Sequence, residues 1–263
     1  MPQHTPGRCG HHSGMTSLLA PPITAPDALA DALRSRGHAA LSPSGLAQLA
    51  RLEPDSLAAW LPSWERLPPD AYLRDGGRYR RRRHGCFVVE GDAVTQVPHR
   101  PHWQPVEYNA LHGGIERHFE PIEVALTTQP LWQRFLVTMA ARASALKGAQ
   151  RWYVEAHPFR IDTTDGIGRP TPEGAHRDGV DLVTVTLVSR MGIKGAETRV
   201  FAAQGREGQR FTLTEPWSTL LLDDERVIHE STPIQPQVPG TVGHRDTLVL
   251  TFRSDGFQGP DQP

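Results

Sequence analysis

The chain has 263 residues, 38% of them hydrophobic and 22% charged, with 28 Lys and Arg against 29 Asp and Glu. That is enough apolar material for a substantial core, and the near-zero net charge leaves no overall field to draw in nucleic acid or an anionic membrane surface. Two cysteines, Cys9 and Cys86, make no disulfide framework, and the sequence has neither a long apolar run nor a secretory signal, so a reducing cytoplasm is expected.

Residues 1–24, rich in Gly, Pro and Ser, read as a flexible tail; His11 and His12 lie within it and read as part of the tail rather than a metal site. From residue 25 to 263 a single domain is expected, with a helical and loop-rich flank over 25–148 and core strands over 150–254. Leu29 and Leu33 with charges between them predict a short helix closed by Gly37, and "SPSGLAQLARL" predicts another behind a serine cap. "RYRRRRHGCFVVE", residues 78–90, ends in a strand-like run, and a turn-rich stretch follows to about residue 120. Behind Pro130, the spacing of Leu131, Phe135, Leu136, Met139, Ala143 and Leu146 predicts a long helix ending at Gly148. Beyond 150 come "RWYVEAHPFRI", "VDLVTVTLVS", "ETRVFAA", "RFTLT", "STLLLDD", "RVIHES" and "TLVLTFR", short strands at a spacing that argues for a sandwich or barrel.

Chemistry concentrates in "PEGAHRDGVDLVTVTLVSR", residues 172–190. Side chains two apart on a strand share a face, so His176 and Asp178 point the same way, and the better-placed Asp178 is preferred over Asp181. The same parity, continued without a bulge, puts Leu182, Thr184 and Thr186 on the cavity side and Val183, Val185 and Leu187 on the packing side. His229, in "LLLDDERVIHES", supplies a third donor, and two histidines with one carboxylate form the facial triad of non-haem Fe(II) oxygenases, with positions left open for a cosubstrate and O₂. Arg245 and Thr247, on one strand face in "HRDTLVLTFR", are suited to grip the far carboxylate of 2-oxoglutarate. Arg253 is the rival anchor, on the same parity but roughly 26 Å further along at strand rise.

With those residues in view, "WYVEAHPFRID", "PTPEGAHRDGVDLVTVTLVSR", "LLLDDERVIH", "HRDTLVLTF", "RYRRRRHG" and "GGIERHFEPI" resemble the Fe(II)/2-oxoglutarate-dependent dioxygenases, in the bacterial branch that includes free L-amino-acid hydroxylases. The resemblance runs from about residue 25 to 254. It implies a mainly β fold with flanking helices (α+β), a double-stranded β-helix or cupin-like jelly roll. It also implies His176, Asp178 and His229 as iron ligands, Arg245 with Thr247 as the 2-oxoglutarate anchor, and hydroxylation of a free amino acid with release of succinate and CO₂.

Several further residues are candidates for the substrate pocket. His157, with Glu155 on the same parity, is either a pocket residue or a structural hydrogen-bonding group. Arg80 to Arg83 read as a solvated or ion-paired surface, or else one inward arginine, Arg82, grips a substrate carboxylate. Trp103, Gln104, Tyr108 and Asn109, beside a Gly pair, suit either a pocket wall or an ordinary packed loop. His99 and His102 lack a third ligand at an obvious spacing. The partner expected is a small molecule, with no nucleic acid and no membrane; the oligomeric state is open. The competing readings are a non-catalytic metal-binding jelly roll with a stress or signalling role, and a cupin-type dioxygen chemistry that needs no 2-oxoglutarate.

Overall fold

The computed structural model describes residues 18–53 and 55–260; His11, His12 and Cys9 lie outside them. In chain order the first elements are α1 (Leu29–Arg36), β1 (His38–Leu41), α2 (Pro43–Ala50) and α3 (Leu61–Glu65). Gly37, at φ 76°, ends α1 by donating its N–H to Leu33 O at 2.9 Å, which is the left-handed stop the sequence predicts. Ser42 Oγ caps α2 by accepting from Gly45 N at 3.0 Å. Of the predicted tail, residues 18–24 are described: Leu19 O accepts from Thr212 N at 2.8 Å, and Thr24 N donates to Ala40 O at 2.7 Å.

There follow β2 (Arg80–Arg82), β3 (Gly85–Glu90), β4 (Ala93–Gln96), α4 (Val124–Thr127) and the long α5 (Pro130–Lys147). Helix α5 buries Trp132, Phe135, Leu136, Met139, Ala140 and Ala143 along one stripe, with Leu131 and Leu146 half-buried at its margins. The remaining strands are β5 (Trp152–Asp162), β6 (Leu182–Met191), β7 (Ile193–Gly195), β8 (Thr198–Ala202), β9 (Gly208–Phe211), β10 (Thr219–Asp223), β11 (Val227–Ser231), β12 (Ile234–Pro236) and β13 (His244–Arg253).

The large sheet runs β1-β10-β6-β13-β5-β3-β4, with β2 also on β5; β11-β8-β9 and β12-β7 form the opposing layer. One face of the large sheet, through Trp152, Val154, Leu182, Leu248, Leu250 and Phe252, packs on the helices. The other, through Val183, Leu187, Leu220 and Leu222, packs on Val200, Phe211 and Val227 of the smaller sheet. Two facing antiparallel sheets with helices outside one of them make the expected jelly roll. The flank contributes four strands to it, so its helices and loops are stitched into the barrel.

The register of β6 corrects one expectation. Val185 faces the interior cavity, whereas Thr184 and Thr186 are fully buried on the opposite face, and Thr186 bonds Thr219 at 2.9 Å. Parity carried from His176 and Asp178 fails because residues 179–181 are not strand: Gly179 turns the chain at φ 74° before β6 begins.

Candidate metal centre

Three donors converge where the loop before β6 meets β11. His176 and His229 form a two-residue antiparallel bridge, N to O at 3.0 and 2.9 Å, which sets their rings 4.6 Å apart. Asp178 Oδ1 lies 3.9 Å from His176 Nε2, and its Oδ2 3.9 Å from His229 Nε2. Neighbouring ligands about 2.1 Å from one ion stand about 3 Å apart, so small side-chain rotations would bring all three onto it. His176 Nδ1 donates to Gly174 O at 2.9 Å, which leaves its Nε2 lone pair directed at the site.

The loop that carries Asp178 is held by a residue the sequence presents only as part of a turn. Asp224, fully buried between β10 and β11, accepts from the backbone N–H of Asp178, Gly179 and Val180 at 3.0, 2.8 and 3.1 Å. Burial, and then the Asp178 charge, pushes Asp224 up to about 6 against those three donors. Burial also raises Asp178, although His176 pulls the other way, and it holds His229 well below the usual histidine range. Crowded carboxylates beside imidazole lone pairs favour a cation between them.

The donors open onto a cavity of about 140 Å³ that is also lined by Arg245 and Thr247 of β13. Arg245 is 5% exposed and its guanidinium has no hydrogen-bonding partner among the described residues; burial, and then the Arg190 charge, brings it down to about 10. A buried cation without a counterion, facing three candidate metal donors, suits an anionic cosubstrate. Arg253 lines the cavity from the other end of β13 and donates to Gly256 O at 3.2 Å.

Of the candidate substrate residues, Arg82, Gln104, Asn109 and His157 line this cavity. Gln104 donates to Asp178 Oδ1 at 3.2 Å and accepts from Asn109 at 3.0 Å. Thr184 and Tyr108 do not line it: Thr184 lies on the helix side of the sheet, and the Tyr108 ring lies against Gly179, where a Cβ would come within 2.4 Å of it. Arg80 and Arg82 are 5% and 3% exposed, because pairing of β2 with β5 turns both inward, which corrects the surface reading for these two; Arg81 and Arg83 stay partly exposed and pair with Asp162 and Glu120 as that reading expects. Arg80 is neutralised by Asp70 at 2.7 Å.

A second cluster, His84, His102, Glu155 and His157, also gathers donor atoms within 4.8 Å of one another. Glu155 Oε2 accepts from His102 Nδ1 at 2.6 Å and His84 Nε2 at 3.0 Å. Arg82 Nη2 donates to His157 Nδ1 at 2.7 Å, which puts the His157 proton on Nε2, facing Glu155. Burial brings His102 down to about 3, so the rings are neutral donors around an ionised carboxylate. In this arrangement the rings direct N–H groups, not lone pairs, at the carboxylate.

The profile of the 2OG-Fe dioxygenase family matches residues 61–251. The chain belongs to this family. Its members use Fe(II), 2-oxoglutarate and O₂, so this dioxygenase does so as well. It is similar to a bsmA homologue from Methylobium petroleophilum PM1, a solved structure with 52% identity and a TM-score of 0.86 that covers 90% of this chain and 96% of that one. IDO from Bacillus thuringiensis shares the fold at 20% identity and a TM-score of 0.70, over 88% of this chain and 96% of that one. A 3(1)-hydroxy-L-isoleucine 4-dioxygenase from Pantoea ananatis is 22% identical over 206 residues, 76% of this chain and 82% of that one. No helix among the described residues of the dioxygenase is long and apolar enough to cross a membrane.

Proposed function

We propose that His176, Asp178 and His229 hold the ferrous ion, that Arg245 and Thr247 receive the distal carboxylate of 2-oxoglutarate, and that the substrate hydroxylated is a free L-amino acid. The observation that carries this reading is the partnerless buried guanidinium of Arg245, in the same cavity as the three metal donors. Together, the metal and its cosubstrate supply the O₂-activating chemistry that inserts oxygen into an unactivated C–H bond and leaves succinate and CO₂.

What the chain does is place and shield. The His176–His229 bridge and the Asp224 clamp hold the three donors before a metal arrives, so little reorganisation is left for binding. Thr247 sits two residues beyond Arg245 on the same face, where its hydroxyl adds a directional bond to a carboxylate held by the guanidinium. Val185 and Val249 close the barrel side of the cavity against water. The amino-acid reading draws support from the cavity's polar wall and from the likeness to a dioxygenase named for an isoleucine derivative.

The test supplies Fe(II), 2-oxoglutarate, ascorbate and a pool of free amino acids, and follows succinate together with a product heavier by one oxygen atom. Both are expected to form, and Arg245→Ala to suppress both. Succinate without any amino-acid product would remove the substrate assignment; turnover that survives Arg245→Ala without cosubstrate would favour the cupin-type reading.

A further inference from the structure

Arg245 is not the only buried guanidinium in the cavity that lacks an acid. Arg117 and Arg82 are 2% and 3% exposed, both line the cavity, and neither is ion-paired among the described residues. The Arg82 guanidinium is held between the rings of Phe119 and Phe159, with its carbon 3.8 and 4.3 Å from their centroids. One edge is occupied by His157, and its Nε is buried without a partner. Arg117 lies 6.0 Å from the Phe119 centroid; its Nη2 donates to Gln104 Oε1 at 2.8 Å and its Nε is likewise orphaned.

No carboxylate among the described residues pairs with either arginine. Asp70 pairs with Arg80, Glu155 accepts from His84 and His102, and Glu173 acts on Arg117 only from a distance and lies 3.5 Å from His176 Nε2. Burial, and then the Arg80 charge, brings Arg117 down to about 10, and burial depresses Arg82 as well. Two neighbouring guanidiniums kept from water without an anion weaken a fold, and such an arrangement persists where a ligand removes the penalty. Arg117 is also two hydrogen bonds from Asp178: it donates to Gln104, which donates to Asp178 Oδ1.

We propose that Arg82 and Arg117 form a second anion site, separate from that at Arg245, which takes a carboxylate of the substrate and transmits its occupancy to the metal through Gln104. It rests on the reading above for the metal's position at Asp178 and for 2-oxoglutarate at Arg245. The site asks for a carboxylate as the recognition handle. The rest of the wall, through Gln104, Asn109, Glu155, Glu173 and Gln258, favours a substrate body that forms hydrogen bonds over a bare alkyl chain. Gln104 is a positioning residue here: a carboxylate that draws Arg117 toward itself changes the bond Gln104 makes with Asp178.

The experiment titrates the anaerobic Fe(II)- and 2-oxoglutarate-loaded protein with L-isoleucine, L-threonine, L-glutamine and L-aspartate, each beside its α-carboxamide and its deaminated 2-hydroxy acid. Calorimetry reads affinity, and the visible charge-transfer band of the iron chelate reads the metal. At least one free acid is expected to bind and move the band, with its carboxamide weaker by about 30-fold or more. Arg82→Gln and Arg117→Gln should each weaken the acid by about tenfold or more while 2-oxoglutarate affinity stays within about twofold. Gln104→Leu should keep acid binding but abolish the band shift. Without acid, Arg117→Met should melt about 2 °C higher than the wild type, since an unpaired buried charge is gone.

Carboxamides binding as tightly as acids, no carboxylate binding at all, or 2-oxoglutarate affinity falling with Arg117 would each overturn the proposal. So would an Arg117→Met protein that melts lower and binds acids normally, which would mark a structural role. If 2-hydroxy acids bind as well as amino acids, the anion site stands and the free-amino-acid reading falls.

Discussion

Two buried clusters of histidine and carboxylate sit in one barrel, and they do opposite things with the same residue types. Beside Asp178, His176 turns an Nε2 lone pair toward the site, because it spends its proton on a backbone carbonyl outside it. Around Glu155 the imidazoles present protons, because Glu155 accepts from two rings and Arg82 dictates the tautomer of the third. Proximity of donor atoms is therefore a poor guide to a metal site; where each ring keeps its proton decides it.

The contrast breaks most sharply at the proposed ligands. Replacing His229 or Asp178 with alanine should remove Fe(II) binding and lower succinate formation by about a thousandfold or more, whereas His84→Ala should leave metal binding intact, as read by metal content after dialysis. The reverse asymmetry is expected for stability. Glu155→Leu orphans two buried ring N–H groups and should cost about 3 kcal/mol in denaturant unfolding, without loss of the metal.

A finer test separates holding from ligating. Asp224→Asn replaces a carboxylate that accepts three backbone N–H bonds, and should weaken Fe(II) affinity by about 10- to 100-fold while the fold persists. Calorimetric affinity unchanged from the wild type would remove Asp224 from the metal's support.

The smallest effect is a pH dependence carried by the proton-presenting cluster. His102 titrates at about 3 in the fold, below its unfolded value, so the unfolded chain takes up the proton first as the pH falls. Its contribution is complete about one pH unit above 6.5 and is lost progressively as the pH falls through 6.5 toward 3. Between pH 7.5 and 6.0 His102 alone should cost about 1 kcal/mol, and His102→Asn should flatten the unfolding free energy over that interval by the same amount. An identical slope in the variant would mean that the ring is not buried neutral.

Much of this was legible along the chain because it depends on short-range repetition. The apolar stripe of α5, the glycine after α1 and the apolar runs of β5, β6, β10 and β13 are local patterns, and each became the element it predicts. The pairing of His176 with Asp178 and the joint inward facing of Arg245 and Thr247 are likewise local: two residues on one short segment share a direction. Thr184 departs from the expected face because parity holds only while the strand is unbroken, and Gly179 breaks it.

What the sequence alone determined, then, was the set of elements and the donors that lie two residues apart. The tertiary structure decided which distant residues meet: β2 lying on β5 turned Arg80 and Arg82 inward, the loops brought Arg117 and Gln104 to Asp178, and the β10–β11 turn put Asp224 under the metal loop. Residue type assigns each side chain a charge and a set of donors and acceptors, but burial and partners decide whether it offers a proton, a lone pair or an unmet charge. Those are properties of the closed barrel, and no spacing along the chain encodes them.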